Sequence, residues 1–204
     1  MMKDKIKISE IFESIQGEGI YSGVPMLFIR VQGCTRSCWF CDTKYALDLK
    51  RGKEYTISDM ISFIKSSKLK HICWTGGEPL KWRTQIYQII DETRENQHHL
   101  ETNGDLLNET DDKKFDYIAV SPKDLKTMDK IQKLSFVPNI KVVTDLDKTG
   151  LELVPFASML MPLTTYNKKV DVEICKKVWE YCVEHHLRFS PRLQTFIYGK
   201  KRGV

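Results

Sequence analysis

The 204-residue sequence contains no apolar run near the ~18–20 residues that span a bilayer, which excludes a helical membrane span. Its first ten residues, MMKDKIKISE, alternate charge with isoleucine and lack the apolar stretch of a signal peptide. The expectation is a cytoplasmic protein with reduced thiols, in which clustered cysteines mean a metal or catalysis rather than disulfides. Repeats and low-complexity segments are absent. Charge of one sign is also scarce: of the net +5, three charges sit in the tail GKKRGV, and no basic helix interleaved with aromatics appears. No nucleic-acid partner is expected. The length suits one domain, residues 1–204, with a hydrophobic core of its own.

What the sequence does have is alternation. MLFIRVQG (residues 26–33) reads as a strand that runs into a cysteine-rich loop. TISDMISFIKSSK follows as a helix, with Thr56 as N-cap, Asp59 as its box partner, and Ile57, Met60, Ile61 and Ile64 at helical spacing. HICWTGG is the next strand, and Pro79 suits the first turn of a helix ending near Gln97. HHLETNG, YIAVSPK, NIKVVTD and SMLMPL read as further buried strands, and LRFSPRLQTF as a last one. Between the final two, VDVEICKKVWEYCVEHH is a helix with Ile174, Val178 and Cys182 on one face. Such alternation predicts an α/β fold with a mainly parallel sheet. The chain is short for a closed eight-fold barrel of ~250 residues, so about six parallel strands in an open, partial (β/α) barrel are expected. Several strands end in unusual clusters, QGC, TGGEP, ETNG and SPK. In parallel βα folds those ends share one ligand cleft.

Three of the six cysteines, Cys34, Cys38 and Cys41, fall within eight residues. A structural zinc site would need a fourth ligand, for which Cys73, His71, His98 and His99 are available. Packing as small apolar residues is a second reading, weakened by the neighbouring Arg36 and Asp42. The third is an iron–sulfur cluster, which thiolates normally hold in fours. Three cysteines would leave one iron open to a chelating substrate, as a cluster that only carries electrons would not need.

The spacing C-x3-C-x-Φ-C, with Phe40 before the last cysteine, resembles the signature of the radical S-adenosylmethionine superfamily. The resemblance implies a 4Fe-4S cluster on Cys34, Cys38 and Cys41 whose open iron binds S-adenosylmethionine, and reductive release of a 5′-deoxyadenosyl radical. Phe40 would then lie against the adenine. Read from residues alone, the glycines of WTGGEP allow close backbone approach, and Glu78 offers a carboxylate to an ammonium group. After this cysteine loop, the turn resembles the superfamily's GGE motif, which binds the methionine amino group.

FESIQGEG, the CDT that ends the loop, ETNG, SPK and the terminal LQTFIYGKKRGV resemble, as an ordered set over nearly the whole chain, the 7-carboxy-7-deazaguanine synthase family. The resemblance implies conversion of 6-carboxy-5,6,7,8-tetrahydropterin to 7-carboxy-7-deazaguanine with loss of ammonia, feeding queuosine and related 7-deazapurines. It assigns Ile15, Gln16, Gly17, Arg30 and Thr75 to the pterin. Gln16 has both donor and acceptor for a guanine-like edge, and Arg30 can fork onto a carboxylate. It assigns Phe40, Cys41, Asp42, Gly77, Glu78, Ser121, Pro122 and Lys123 to S-adenosylmethionine, and Thr43 to Mg2+. Glu101 is either a cofactor contact or a group that orders its strand end. A homodimer and an electron donor such as flavodoxin or ferredoxin are also implied. Met161 stands where family members often carry glutamine, and no contact is assigned to Val204. Cys73 has no matched role, and Cys175 and Cys182, seven apart on one helix, are expected to face the core. Another small radical enzyme, such as a glycyl-radical activase, or a non-catalytic zinc or iron–sulfur protein would share the cysteine loop without the IQGEG, CDT and SPK set.

Overall fold

The computed structural model describes residues 4–204; the first three residues of the N-terminal stretch lie outside them. Among the described residues nine strands form one sheet: β1 (Lys5–Ile15), β2 (Pro25–Val31), β3 (Lys53–Thr56), β4 (His71–Gly76), β5 (Gln97–Thr102), β6 (Tyr117–Val120), β7 (Asn139–Thr144), β8 (Met159–Pro162) and β9 (Arg188–Phe189). Their order is β3-β1-β2-β4-β5-β6-β7-β8-β9, with parallel pairing from β2 to β9 and antiparallel pairing of β1 to both β2 and β3. The edges, β3 and β9, do not pair, so the sheet is an open partial barrel. The helices are α1 (Ile57–Ser66), α2 (Arg83–Asp91), α3 (Leu125–Ile131), α4 (Lys168–Glu184) and α5 (Leu193–Tyr198).

Strand interiors here read as continuous apolar runs because both faces are covered. In β4 the alternation splits them: Ile72 and Trp74 join the main core with the helices, and Cys73 packs on the other face with Met26 and Phe28. α1 starts with a closed capping box, Thr56 Oγ1 accepting from Asp59 N at 3.0 Å and Asp59 Oδ2 from Thr56 N at 2.8 Å. Such a cap is worth about 1 kcal/mol. Met60 and Ile64 are buried beneath it, flanked by Ile57 and Ile61.

Three expectations need correction, and two strands, β1 and β3, had none. Lys5–Ile15 is a long strand, with Ile6 and Ile8 alternating into the core. The segment after Pro79 is a 3-10 turn, Pro79–Trp82, and then α2; the helix stops at Asp91, and residues 92–96 turn back before β5. The last strand keeps only Arg188–Phe189, after which the chain turns into α5. Cys182 is buried but Cys175 is exposed. The two share a helix face, yet of the residues of α4 only Val178 and Cys182 are buried. Among the described residues no helix is long and apolar enough to cross a membrane.

Candidate active site

The cysteine loop leaves the C-terminal end of β2 and is docked on the glycine turn after β4. Gly77 N donates to Val31 O at 3.2 Å, and Glu78 N to Gly33 O at 2.8 Å. A Cβ on Gly77 would stand 2.1 Å from Gly33 O and 2.8 Å from Ala46 O, both backbone atoms that cannot swing aside. Gly77→Ala is therefore expected to cost about 1–3 kcal/mol and to displace the start of the loop. Thermal denaturation together with iron incorporated per chain checks this; if neither changes, the backbone tolerates the methyl.

Arg36 pins the loop from the other side. Its guanidinium donates to both Asp105 oxygens at 2.5 and 2.8 Å, to Asp124 Oδ2 at 2.6 Å and to Thr127 Oγ1 at 2.8 Å. Hydrogen bonding to Arg36 holds the Asp124 carboxyl down to about 2. Cys34 Sγ accepts from Arg36 N at 3.4 Å and Asn103 Nδ2 at 3.7 Å, and Cys41 N donates to Cys38 O at 3.2 Å. All three cysteines are free, half-buried and turned to one cavity.

The alternative ligands are spent elsewhere. His98 accepts from Trp74 Nε1 at 3.1 Å and bonds Thr93, while His71 Nδ1 and His99 Nε2 bond each other at 2.9 Å. Burial, then the His71 charge, holds His99 down at about 4. Cys73 is buried under Gln16, with Nε2 4.0 Å from its sulfur. Among the described residues no three His, Cys, Asp or Glu side chains converge to hold a single ion, as tetrahedral zinc requires. Three separated thiols on one loop suit a larger cluster, with N–H donors already on one sulfur.

The cavity, about 1340 Å³ including space open to solvent, lies across the C-terminal strand ends. Its wall takes in Cys34, Cys38, Phe40, Cys41, Asp42 and Thr43 from the loop, and Ile15, Gln16 and Gly17 from the turn after β1. Of the sequence-predicted residues, Arg30, Thr75, Gly77, Glu101, Ser121 and Lys123 also line it. Lys123 donates to Ser121 Oγ at 2.7 Å and stands 5.5 Å from the centre of the Phe40 ring. Arg30 is oriented by Glu10, which takes its Nε at 3.0 Å and also accepts from Tyr45 and Arg202. Thr43 Oγ1 lies 3.6 Å from Cys41 Sγ.

Two predicted residues do not reach the wall. Pro122 is buried between Ser121 and Lys123. Glu78 is fully buried, and its carboxylate is taken by Leu80 N at 3.1 Å, Thr102 Oγ1 at 2.7 Å and Asn103 N at 2.9 Å. Burial outweighs these bonds and raises its pKa. Glu78 ties the β4 turn to the end of β5 instead of offering a free carboxylate.

The floor of the cavity is a charge network of which sequence had singled out only Glu101. Lys141 Nζ, 3% exposed, lies 2.8 Å from Glu18 Oε2 and 2.8 Å from Glu101 Oε2. Glu18 Oε1 also accepts from Arg192 Nε at 3.2 Å and Gln194 Nε2 at 2.8 Å. Burial opposes the Glu18 charge, yet the Lys141 ammonium and Arg192 guanidinium hold its carboxyl well below the usual range. For Glu101 burial prevails, and its pKa is raised. Gln16 Nε2 is 3.5 Å from the other Glu101 oxygen. Met161 and Val204 also line the cavity. A lysine inside the apolar run of NIKVVTD was the one sequence signal for Lys141; Gln194 stood in the terminal LQTFIYGKKRGV without an assigned role, and Arg192 had no signal.

The pattern of the Radical SAM superfamily matches residues 28–167, from β2 through β8. The chain is thus a radical S-adenosylmethionine protein in fold and in the loop that defines the class. It is similar to the 7-carboxy-7-deazaguanine synthase of Hyperthermus butylicus, 30% identical over 94% of this chain and 92% of that protein. It is also similar to the 7-carboxy-7-deazaguanine synthase of Rhodopirellula baltica, 39% identical over 59% of this chain and 46% of that protein. The chain belongs to the 7-carboxy-7-deazaguanine synthase family. A crystal structure of QueE from Escherichia coli has the same fold, with a TM-score of 0.70 at 21% identity over 91% of this chain and 93% of that one.

Proposed function

We propose that this protein converts 6-carboxy-5,6,7,8-tetrahydropterin to 7-carboxy-7-deazaguanine and ammonia, a ring contraction that balances with no net oxidation. The observation that carries the reading is that a single cavity is lined both by the three-cysteine loop and by a polar wall with paired donors and acceptors. Cys34, Cys38 and Cys41 would hold a 4Fe-4S cluster. When bound, the cluster and S-adenosylmethionine would supply the one-electron chemistry that takes a hydrogen atom from C6 of the pterin and gives one back after the ring has rearranged.

The chain's own residues bind, orient and exclude water. Glu10 takes Nε of Arg30 and leaves its forked terminal nitrogens for the substrate carboxylate. Gln16 has an amide for the guanine-like edge. Glu101, one oxygen fixed by Lys141, presents the other to a pterin N–H. On the cofactor side Phe40 supplies a ring face, and Asp42, Ser121 and Lys123 supply polar groups. Met161 and Leu163 close the apolar side.

Thr43 would ligate Mg2+ together with the substrate carboxylate. One hydroxyl is a weak site alone, so the ion completes its octahedral shell with substrate and water. Thr43→Ala is expected to raise the Mg2+ concentration for half-maximal activity about tenfold with cluster iron unchanged; an unaltered Mg2+ titration removes Thr43 from the site. The reading extends to a cytoplasmic homodimer reduced by a flavodoxin or ferredoxin.

The test is anaerobic reconstitution with iron and sulfide. S-adenosylmethionine, Mg2+, reductant and 6-carboxytetrahydropterin are then added, and products are followed by mass spectrometry. Formation of 7-carboxy-7-deazaguanine with ammonia supports the proposal. Accumulation of 5′-deoxyadenosine alone would leave the class of enzyme standing and refute the substrate.

A further inference from the structure

We propose that Arg192 is a positioning residue that couples the cofactor half of the cavity to the substrate half, so that a ligand bound on one side strengthens binding on the other. The inference rests on the function proposed above, which assigns the cysteine loop to the cofactor and the turn after β1 to the substrate. Arg192 sits just before α5, remote in sequence from both motifs. Its side chain is 14% exposed, and one guanidinium reaches both: Nε donates to Glu18 Oε1 at 3.2 Å, and Nη2 donates to Asp42 Oδ2. Glu18 directly follows Ile15, Gln16 and Gly17, while Asp42 lies between Cys41 and Thr43.

The two ends of this bridge differ in stiffness. On the substrate side, Glu18 is also held by Lys141 and Gln194, and Leu193 N donates to Gly17 O at 3.1 Å. Gln194 packs directly on Gly17: a Cβ there would lie 1.8 Å from Gln194 Oε1, so any side chain would have to displace that amide. On the cofactor side, Asp42 is 38% exposed. Burial works against the Arg192 charge, but Glu18 and Asp42 outweigh it and keep the guanidinium protonated. A cofactor that orders the cysteine loop therefore fixes Asp42, through it the plane of the Arg192 fork, and so the turn that meets the substrate. A lysine, a point charge without the fork, would serve one carboxylate at a time. Coupling of this kind is reciprocal: each ligand tightens the other by the same factor.

The test uses the full chain with its iron–sulfur cluster reconstituted and no reductant, so nothing turns over. Affinity for 6-carboxypterin, an oxidised and unreactive probe, is measured by titration calorimetry with and without S-adenosylmethionine. In the unsubstituted protein S-adenosylmethionine is expected to tighten the pterin about fivefold or more. In Arg192→Ala that ratio falls to about one, while S-adenosylmethionine alone binds within about threefold of its original affinity. A merely structural role would weaken both ligands and keep the ratio. Glu18 retains Lys141 and Gln194 in the alanine variant, so its buried charge stays paired. Should alanine still prevent cluster loading, Arg192→Lys is read instead, with the same loss of coupling expected. An unchanged ratio in the variant that loads, or a ratio of one in the unsubstituted protein, overturns the proposal. Binding of S-adenosylmethionine with no binding of pterin overturns the proposed function itself, and the coupling with it.

Discussion

Alanine at Cys34, Cys38 or Cys41 is expected to abolish both iron incorporation and cleavage of S-adenosylmethionine. After anaerobic reconstitution, iron should fall from about four atoms per chain to near zero. The effect is all or none because three thiolates are already one fewer than a cluster usually has. The fold should barely notice. The cysteines are half-buried, and the loop keeps the Arg36 bonds to Asp105, Asp124 and Thr127 and the docking of Gly33 on Glu78. Substitutions of this kind, away from a packed core, cost about 0.5 kcal/mol or less. Iron, labile sulfide and thermal denaturation on the same samples check both halves. Full iron loading in any of the three variants would remove that cysteine from the cluster, and one equivalent of zinc in place of iron would restore the structural-metal reading.

The parts of this molecule that sequence made legible are those where local chemistry and fold coincide. Thr56 and Asp59 announced the start of α1, because a capping box is a four-residue event. β2 and β4 to β8 were legible as buried runs of a parallel sheet, whereas the exposed antiparallel edge β3, KEYT, was not. A common cleft at QGC, TGGEP, ETNG and SPK followed from strand ends, because parallel βα units gather those ends on one side, whereas the individual wall residues came from the family resemblance. What escaped depended on tertiary position. Glu78 has the residue type of an ammonium acceptor, yet its carboxylate is consumed by Thr102 and Asn103, which approach only once β4 and β5 pair. Cys175 and Cys182 share a helix face, yet one is exposed and the other buried, a difference that helical spacing cannot carry. Arg192 carries no motif, and its place between Glu18 and Asp42 exists only when α5 folds back over the strand ends.

Lys141→Met is expected to be the most destabilising of the substitutions considered, at about 3–5 kcal/mol. Methionine fills much of the volume of the lysine stem, so packing is not the main loss. The cost comes from two buried carboxylates that share one ammonium. Glu18 keeps Arg192 and Gln194, whereas Glu101 keeps only Gln16 at 3.5 Å. Glu101 therefore protonates more readily in the variant than in the original protein, where burial already raises it against the pull of Lys141. The sign with pH follows. A carboxyl whose folded pKa lies above its unfolded value binds extra protons in the native state, so its stabilisation is present at low pH and lost as pH rises through the folded pKa. The deficit of Lys141→Met should consequently shrink as pH is lowered from 7 toward 5. Adding Glu101→Gln should recover a large part of it at pH 7, because the amide needs no counter-charge. Urea denaturation of the single and double variants at both pH values measures each term. A deficit below about 1 kcal/mol, or one independent of pH and of Glu101→Gln, would mean that Lys141 is a spectator, with Glu18 held by Arg192 and Gln194 and Glu101 by Gln16.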